Sequence, residues 1–252
     1  VAHNSDKAQL IGGLHAVRAA LKHGADEVLE VWVDASRKDA RMREILDAAR
    51  QARVKVQRVE RQELDDRLGD IRHQGVGARV TAPAARDEKQ LFGLLESLDE
   101  PAFLLILDGV TDPHNLGACL RSADAAGVQA VIAPKDRSAG LTPVAVKVAS
   151  GAAESVPFFQ VTNLVRTMQK LQQDLGIWMV GTSGEASQSL YETDLTGNLA
   201  LVLGAEGKGM RRLTAEACDS LVSLPMLGTV ESLNVSVAAG VCLFEALRQR
   251  RA

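Results

Sequence analysis

The sequence predicts an α/β protein: a mostly parallel sheet in the larger C-terminal part, preceded by a small α/β unit. Three observations predict it. From residue 102 onward, short apolar runs alternate with segments of helical periodicity at the spacing of strand–helix units. Two of those runs, FLLIL (103–107) and LALVLG (199–204), are apolar almost throughout, as strands buried on both faces must be. The chain has 252 residues, 46% of them apolar, which is enough for one large domain or two smaller ones. Aromatic residues make up only 3%, so the cores are expected to be aliphatic.

Taken in order, residues 12–24 carry a helical pattern ending at Gly24. VLEVWVD (28–34) reads as a strand, RMREILDAARQA (41–52) as a helix, and KVQRVE (55–60) alternates like a strand. RQELDDRL (61–68) is a short helix and VGARV (76–80) another strand. Residues 1–82 thus form one α/β unit. TAPAARDEKQ (81–90) has Pro, Ala and charge without apolar periodicity, so residues 83–100 are expected to be a linker. LFGLLESLDEP within it supplies a bridging helix that ends before Pro101. In residues 101–252, strands are expected at 103–108, 129–133, 156–161, 177–182, 199–204 and 221–225. Helices are expected at 115–126, 142–150, 163–175, 210–218 and 233–250. Such alternation implies a sheet covered on both faces.

The formal net charge of −3 argues against a purely electrostatic nucleic-acid binder. Residues 1–82 nevertheless carry a net +2, with a local cluster at Arg37, Lys38, Arg41 and Arg43. A solvated helix face and an RNA-facing patch explain that cluster equally well. Cys119, Cys218 and Cys242 are far apart, no C-x-x-C occurs, and the five His are scattered. Buried reduced thiols are therefore expected, with no metal site and no disulfide. No apolar run approaches the ~18 residues needed to span a bilayer, and no signal peptide is visible. A cytoplasmic protein is expected. The first residue is Val1 rather than Met, which leaves the true N-terminus open.

Three segments could carry chemistry. In 103–127, an apolar strand runs into a polar loop and then a helix, with Asp108, Asn115 and Arg121 near the handover. Ligands of open α/β sheets bind at such handovers. Asn115 is placed to cap the helix, and Arg121 could simply pair with Asp108, Asp112 or Asp124. In LVLGAEGKGM (201–210), three glycines surround Glu206 at a strand end. Neither the P-loop spacing nor G-x-G-x-x-G is present, so a nucleotide-binding enzyme is disfavoured. In 223–249, a strand ends at Leu224-Pro225, and Ser232 or Asn234 could cap the last helix. The small-residue run 235–240 suits close helix packing.

Together these segments resemble the SpoU (TrmH) branch of the SPOUT methyltransferases. Asp108 to Arg121 matches D-x-x-x-D-P-x-N-x-G-x-x-x-R, and Leu203 to Met210 matches L-G-x-E-x-x-G-[ML]. Leu224 to Ser236 matches I-P-M-x-G-x-x-x-S-L-N-V-[SA], with Leu in place of Ile. GGLHAVRAAL (12–21) and HQGVGARV (73–80) resemble the L30e-like RNA-binding domain fused to many members, and 134–164 resembles one rRNA-modifying subgroup.

The resemblance implies a SPOUT-type sheet with a trefoil knot, a homodimer, and S-adenosylmethionine as cofactor. It implies 2′-O-methylation of a guanosine ribose in 23S rRNA, in the peptidyl-transferase P-loop. A tRNA ribose methyltransferase of the same family and a non-catalytic RNA-binding protein are the alternatives. Carried onto this chain, the catalytic positions are Arg121, Asn115, Glu206, Ser232 and Asn234. Cofactor contact falls to Leu203, Gly204, Gly209, Leu224, Met226, Leu233 and Asn234, largely through backbone groups. RNA contact falls to Arg37, Lys38, Arg41 and Arg43.

Overall fold

The computed structural model describes residues 8–23, 25–81 and 85–251. The chain divides into two units, one of residues 1–84 with 150–155, the other of 85–149 with 156–252.

The first unit contains β1 (Ala8–Gly12), α1 (Leu14–His23), β2 (Val28–Asp34), α2 (Ala40–Gln51), β3 (Val56–Val59), α3 (Arg61–Leu68) and β4 (Val76–Thr81). The sheet order is β1-β4-β2-β3, with β4 antiparallel to both neighbours and β2 parallel to β3. Side-chain alternation along β2 sorts the core. Val31 and Val33 face α1 and α2, meeting Val17, Leu21, Ile45 and Ala49. Trp32 faces the other way, onto Leu64 and Leu68 of α3, and Arg67 lies 4.8 Å above its ring.

One expectation shifts here. Gly12 ends β1 instead of opening a helix, because AQLIG pairs with β4 from Ala8↔Thr81 to Gly12↔Gly77. Five residues are too few to show a period, so the strand is decided by its partner. Gly24 lies outside the described residues.

The second unit opens on α4 (Glu88–Glu96). Asp87 and Gln90 form a capping box at its start, with Gln90 N–H donating to Asp87 at 2.9 Å and Asp87 N–H to Gln90 at 3.0 Å. Leu91 and Leu95 belong to the core of this unit, so the helix inside 83–100 is packed structure and not a free connector. Residues 82–84 lie outside the described residues. The chain continues through β5 (Phe103–Asp108), α5 (Pro113–Ala126), β6 (Ala130–Pro134), α6 (Pro143–Ala149), α7 (Ala152–Ser155), β7 (Phe158–Val161) and α8 (Leu164–Leu175). It ends with β8 (Trp178–Thr182), β9 (Gln188–Ser189), β10 (Leu199–Gly204), α9 (Arg212–Glu216), β11 (Ser220–Ser223) and α10 (Val235–Arg250).

These strands form one sheet of order β7-β6-β5-β10-β8-β11-β9, and its pairs are parallel. Leu104, Ile106, Ile132, Ala200 and Val202 pack one face onto α4 and α8. The opposite face bears α10, which packs on β10 and α5. β10 enters between β5 and β8, both earlier in sequence. That order brings the C-terminal ends of β5 and β10 side by side, with Asp108 opposite Gly204.

Cys119 and Cys242 are buried and Cys218 half-buried; burial pushes each thiol up to about 12, so all three stay protonated. No helix among the described residues is long and apolar enough to cross a membrane.

Residues 150–155 cluster with the first unit. There Glu154 Oε2 is buried without a hydrogen-bond partner. Desolvation, with the nearby Glu27 carboxylate acting the same way, raises the Glu154 pKa to about 7 from 4.5. Between those values the folded chain binds more protons than the unfolded one, so stability present below pH 4.5 is lost as pH rises through about 7. Urea denaturation at pH 5 and pH 8 should show Glu154→Gln removing about 2–3 kcal/mol of that loss.

Candidate active site

Three loops at the carboxyl edge of the larger sheet build the site, the region where open parallel sheets bind ligands. They follow β5, β10 and β11.

The loop after β5 is anchored by Asp108, which is buried. Its Oδ2 accepts from the Arg211 backbone N–H at 2.8 Å and its Oδ1 from Arg211 Nε at 2.7 Å. A carboxylate taken out of water needs such donors, and here they tie the loop after β10 to the end of β5. Asp112 caps α5 by accepting from His114 N–H at 2.9 Å, with Pro113 in the first helical turn. Asn115 is therefore not the cap. It sits inside the first turn and its side chain is free for another partner.

That partner is Asn234. Asn234 Nδ2 donates to Asn115 Oδ1 at 3.0 Å and to Glu206 Oε1. Its Oδ1 caps α10, accepting from Ser236 N–H at 2.9 Å and from the Ser236 hydroxyl at 2.6 Å. Glu206 Oε1 also accepts from Val235 N–H at 3.3 Å. One amide thus joins a residue from each of the three motifs. Ser232 is exposed and makes no hydrogen bond among the described residues, so it stands outside this bridge.

The glycine loop folds back on its own strand. Ala205 and Gly209 exchange backbone hydrogen bonds of 3.1 and 2.9 Å. A Cβ on Gly204 would lie 2.0 Å from the backbone of Gly209 and Met210. Glycine is required at 204 by the chain's own close approach. Leu203 is 1% exposed, so its side chain belongs to the core and is not part of the site surface. Gly117 has a similar cause. A Cβ there would sit 2.4 Å from the Ala145 carbonyl oxygen, because α5 and α6 touch at that point.

The loop 224–233 differs in kind. No backbone group in it is hydrogen-bonded within the chain, among the described residues. Leu227 is 98% exposed and Val230 62%. Uncommitted N–H and C=O groups at a strand end fit a ligand held by main-chain contacts. Leu224, Met226 and Leu233 are half-buried beside them.

Arg121 stands two turns into α5. Leu116, Cys119, Leu120 and Ala123 are buried on the packed side, while Arg121 is exposed and makes no ion pair among the described residues. The salt bridge to Asp108 is ruled out by Arg211. In the first unit, Lys38, Arg41 and Arg43 are exposed. Arg37 is not a free cation: its Nε donates to Asp39 at 2.7 Å and its Nη1 to the Gln74 carbonyl. Since Asp39 also caps α2, Arg37 holds that turn together. Arg211 lies outside the three motifs. Its signal was the Arg211-Arg212 pair directly after the glycine loop.

Residues 102–244 match the SpoU rRNA Methylase family, and residues 10–85 match the module described as RNA 2′-O ribose methyltransferase substrate binding. The chain belongs to the SpoU rRNA methylase family. Among SpoU relatives, the 23S rRNA (guanosine-2′-O-)-methyltransferase RlmB of Shewanella oneidensis is 57% identical over 245 residues, 97% of this chain and 99% of that protein. RlmB of Escherichia coli K12 is 57% identical over 242 residues, 96% and 99% of the two chains. The crystal structure of the SpoU methyltransferase AviRb from Streptomyces viridochromogenes, in complex with AdoMet, matches with a TM-score of 0.76 at 27% identity. That match covers 96% of this chain and 90% of AviRb. The resemblance read from three SpoU motifs therefore extends over both units.

Proposed function

We infer that this SpoU protein is a 23S rRNA (guanosine-2′-O-)-methyltransferase that uses S-adenosylmethionine. The observation that carries the inference is 57% identity to RlmB proteins over nearly the whole of both chains. The bridge through Asn234, which joins all three motifs, supports it from the structure. The assigned target is a guanosine ribose in the peptidyl-transferase P-loop, and a cytoplasmic location goes with that substrate.

S-adenosylmethionine, when bound, supplies a methyl group already activated as a sulfonium. The uncommitted backbone of 224–233, with Leu224, Met226 and Leu233, is assigned to hold it, together with Gly204, Gly209 and Asn234. The chain must also align the 2′-hydroxyl and manage its proton. Arg121 is assigned to the 2′-oxygen. A guanidinium stays protonated and is a poor base, but it stabilises negative charge developing on oxygen and grips a neighbouring phosphate. Asn115, Glu206 and Asn234 fix the surface against which that oxygen lies, and Ser232 extends it on the substrate side. Lys38, Arg41 and Arg43 are assigned to phosphates of the RNA, while Arg37 keeps their turn in shape.

A homodimer and a trefoil knot complete the proposal. Val237 and Phe244 are 52% and 50% exposed on one side of α10, with Val241 between them. Leu227 and Val230 lie in the loop just before. Apolar surface of this kind next to a site supports burial against a second copy. The knot is supported by β10 entering between β5 and β8 and by α10 packing back on α5.

Three outcomes test this reading. Incubation with S-adenosylmethionine and either a 23S rRNA fragment or tRNA, followed by digestion to nucleosides, should give 2′-O-methylguanosine from the rRNA alone; methylation of tRNA alone would overturn it. Arg121→Ala should lower kcat by about 10²–10³, while Arg121→Lys should retain activity within about 10-fold if charge is what matters. In sedimentation, Phe244→Asp should shift the protein to monomer and reduce turnover.

A further inference from the structure

The larger unit holds an open cleft of ≈ 350 Å³ that the site above leaves unused. Pro134 at the end of β6, Asp136 just after it, Asn163 after β7, and Arg211, Arg212 and Leu213 after the glycine loop line it. β6 and β10 flank β5 in the sheet, so the cleft lies along the same carboxyl edge as Asp108 and the loop to Asn115.

The chemistry of its walls is specific. Arg211 uses its backbone N–H and Nε to hold Asp108, leaving both terminal nitrogens of the guanidinium uncommitted among the described residues. The Arg212 side chain is 76% exposed and, among the described residues, pairs only with Glu216 one turn on, at 2.5 Å, a contact that exchanges readily in water. Beside them Leu213 is 55% exposed and presents an apolar surface to the cleft. Lys135 and Arg137 bracket Asp136, and Lys135 N–H donates to the Val161 carbonyl at 2.9 Å, which sets this loop over the end of β7. Arg137 has a φ of 58°, a left-handed backbone uncommon for a residue with a side chain. Guanidinium forks suit a phosphodiester, an apolar platform suits a base or ribose face, and the Asp136 carboxylate accepts from an amino group or a hydroxyl.

We propose that this cleft binds one nucleotide of the RNA strand adjacent to the methylated one. The phosphate goes to the Arg211 and Arg212 forks, and the base or ribose rests on Leu213. The proposal rests on the reading of the protein as an RNA methyltransferase. It makes the catalytic unit an RNA reader in its own right, with Arg211 as a positioning residue shared between strand and active site through Asp108.

The test uses the full chain and a 23S rRNA fragment containing the target, with Arg212→Ala and Leu213→Ser, both changes of exposed side chains. Each should raise KM for RNA by about 10-fold while kcat and the Kd for S-adenosylmethionine stay within about 2-fold. The slope of log Kobs against log salt should fall by about 0.7 for Arg212→Ala, the value of one single-strand phosphate contact, and not at all for Leu213→Ser. Partial recovery in Arg212→Lys would support the phosphate contact. Unchanged KM and unchanged salt slope in both alanine and serine variants would overturn the proposal. Filter binding without cofactor separates the two readings. If the wild-type chain binds RNA but methylates nothing, the enzymatic reading fails, while affinity lost in the variants still supports the cleft.

Discussion

The side-chain amide of Asn234 is the interaction on which the site depends. It lies 119 positions from Asn115 and 28 from Glu206, yet donates to both. Its oxygen is meanwhile committed to the start of α10. An amide has two faces of opposite character, so capping the helix with oxygen forces the NH₂ group toward the two acceptors. The start of the last helix, the glycine loop and the first turn of α5 are thereby set relative to one another. Asp108 does the same one layer deeper, where its two oxygens hold the backbone and side chain of Arg211. Both links are possible because β10 is inserted beside β5, which brings two distant strand ends into register.

The elements with strong periodicity were legible from residues alone. The bounds of β2, α3, β5 and β10 agree with the pattern, because buried strands and amphipathic helices advertise their period. What failed to show was decided by partners. β1 and β9 are too short to carry a pattern and exist through pairing with β4 and β11. α4 looked like part of a connector, since the sequence cannot say which core Leu91 and Leu95 will enter. The helix after β5 begins two residues earlier than its apolar pattern because Asp112 and Pro113 supply the start.

The site was legible as three motifs, but the reasons for individual residues were not. Gly204 reads as a cofactor-contact position; it and Gly117 are glycine because backbone passes within van der Waals distance of where a Cβ would be. Arg37 read as one cation of four and is instead the clasp of a turn. Arg211, with no motif position of its own, is the residue that fixes the glycine loop. The edge of the sheet thus divides in kind: polar residues bridged to one another, a 224–233 backbone without internal hydrogen bonds, and an Arg121 without an ion pair, among the described residues.

The central claim is that the Asn234 amide, through its two donated bonds, assembles the active site. Asn234→Asp isolates it, because Asp caps a helix as well as Asn does but donates nothing and places a second carboxylate against Glu206. Single-turnover methylation of the 23S rRNA fragment should fall by about 100-fold or more, roughly 2.7 kcal/mol in the barrier, with the thermal midpoint little changed. Methyl transfer at the wild-type rate by a folded Asn234→Asp protein would contradict the account.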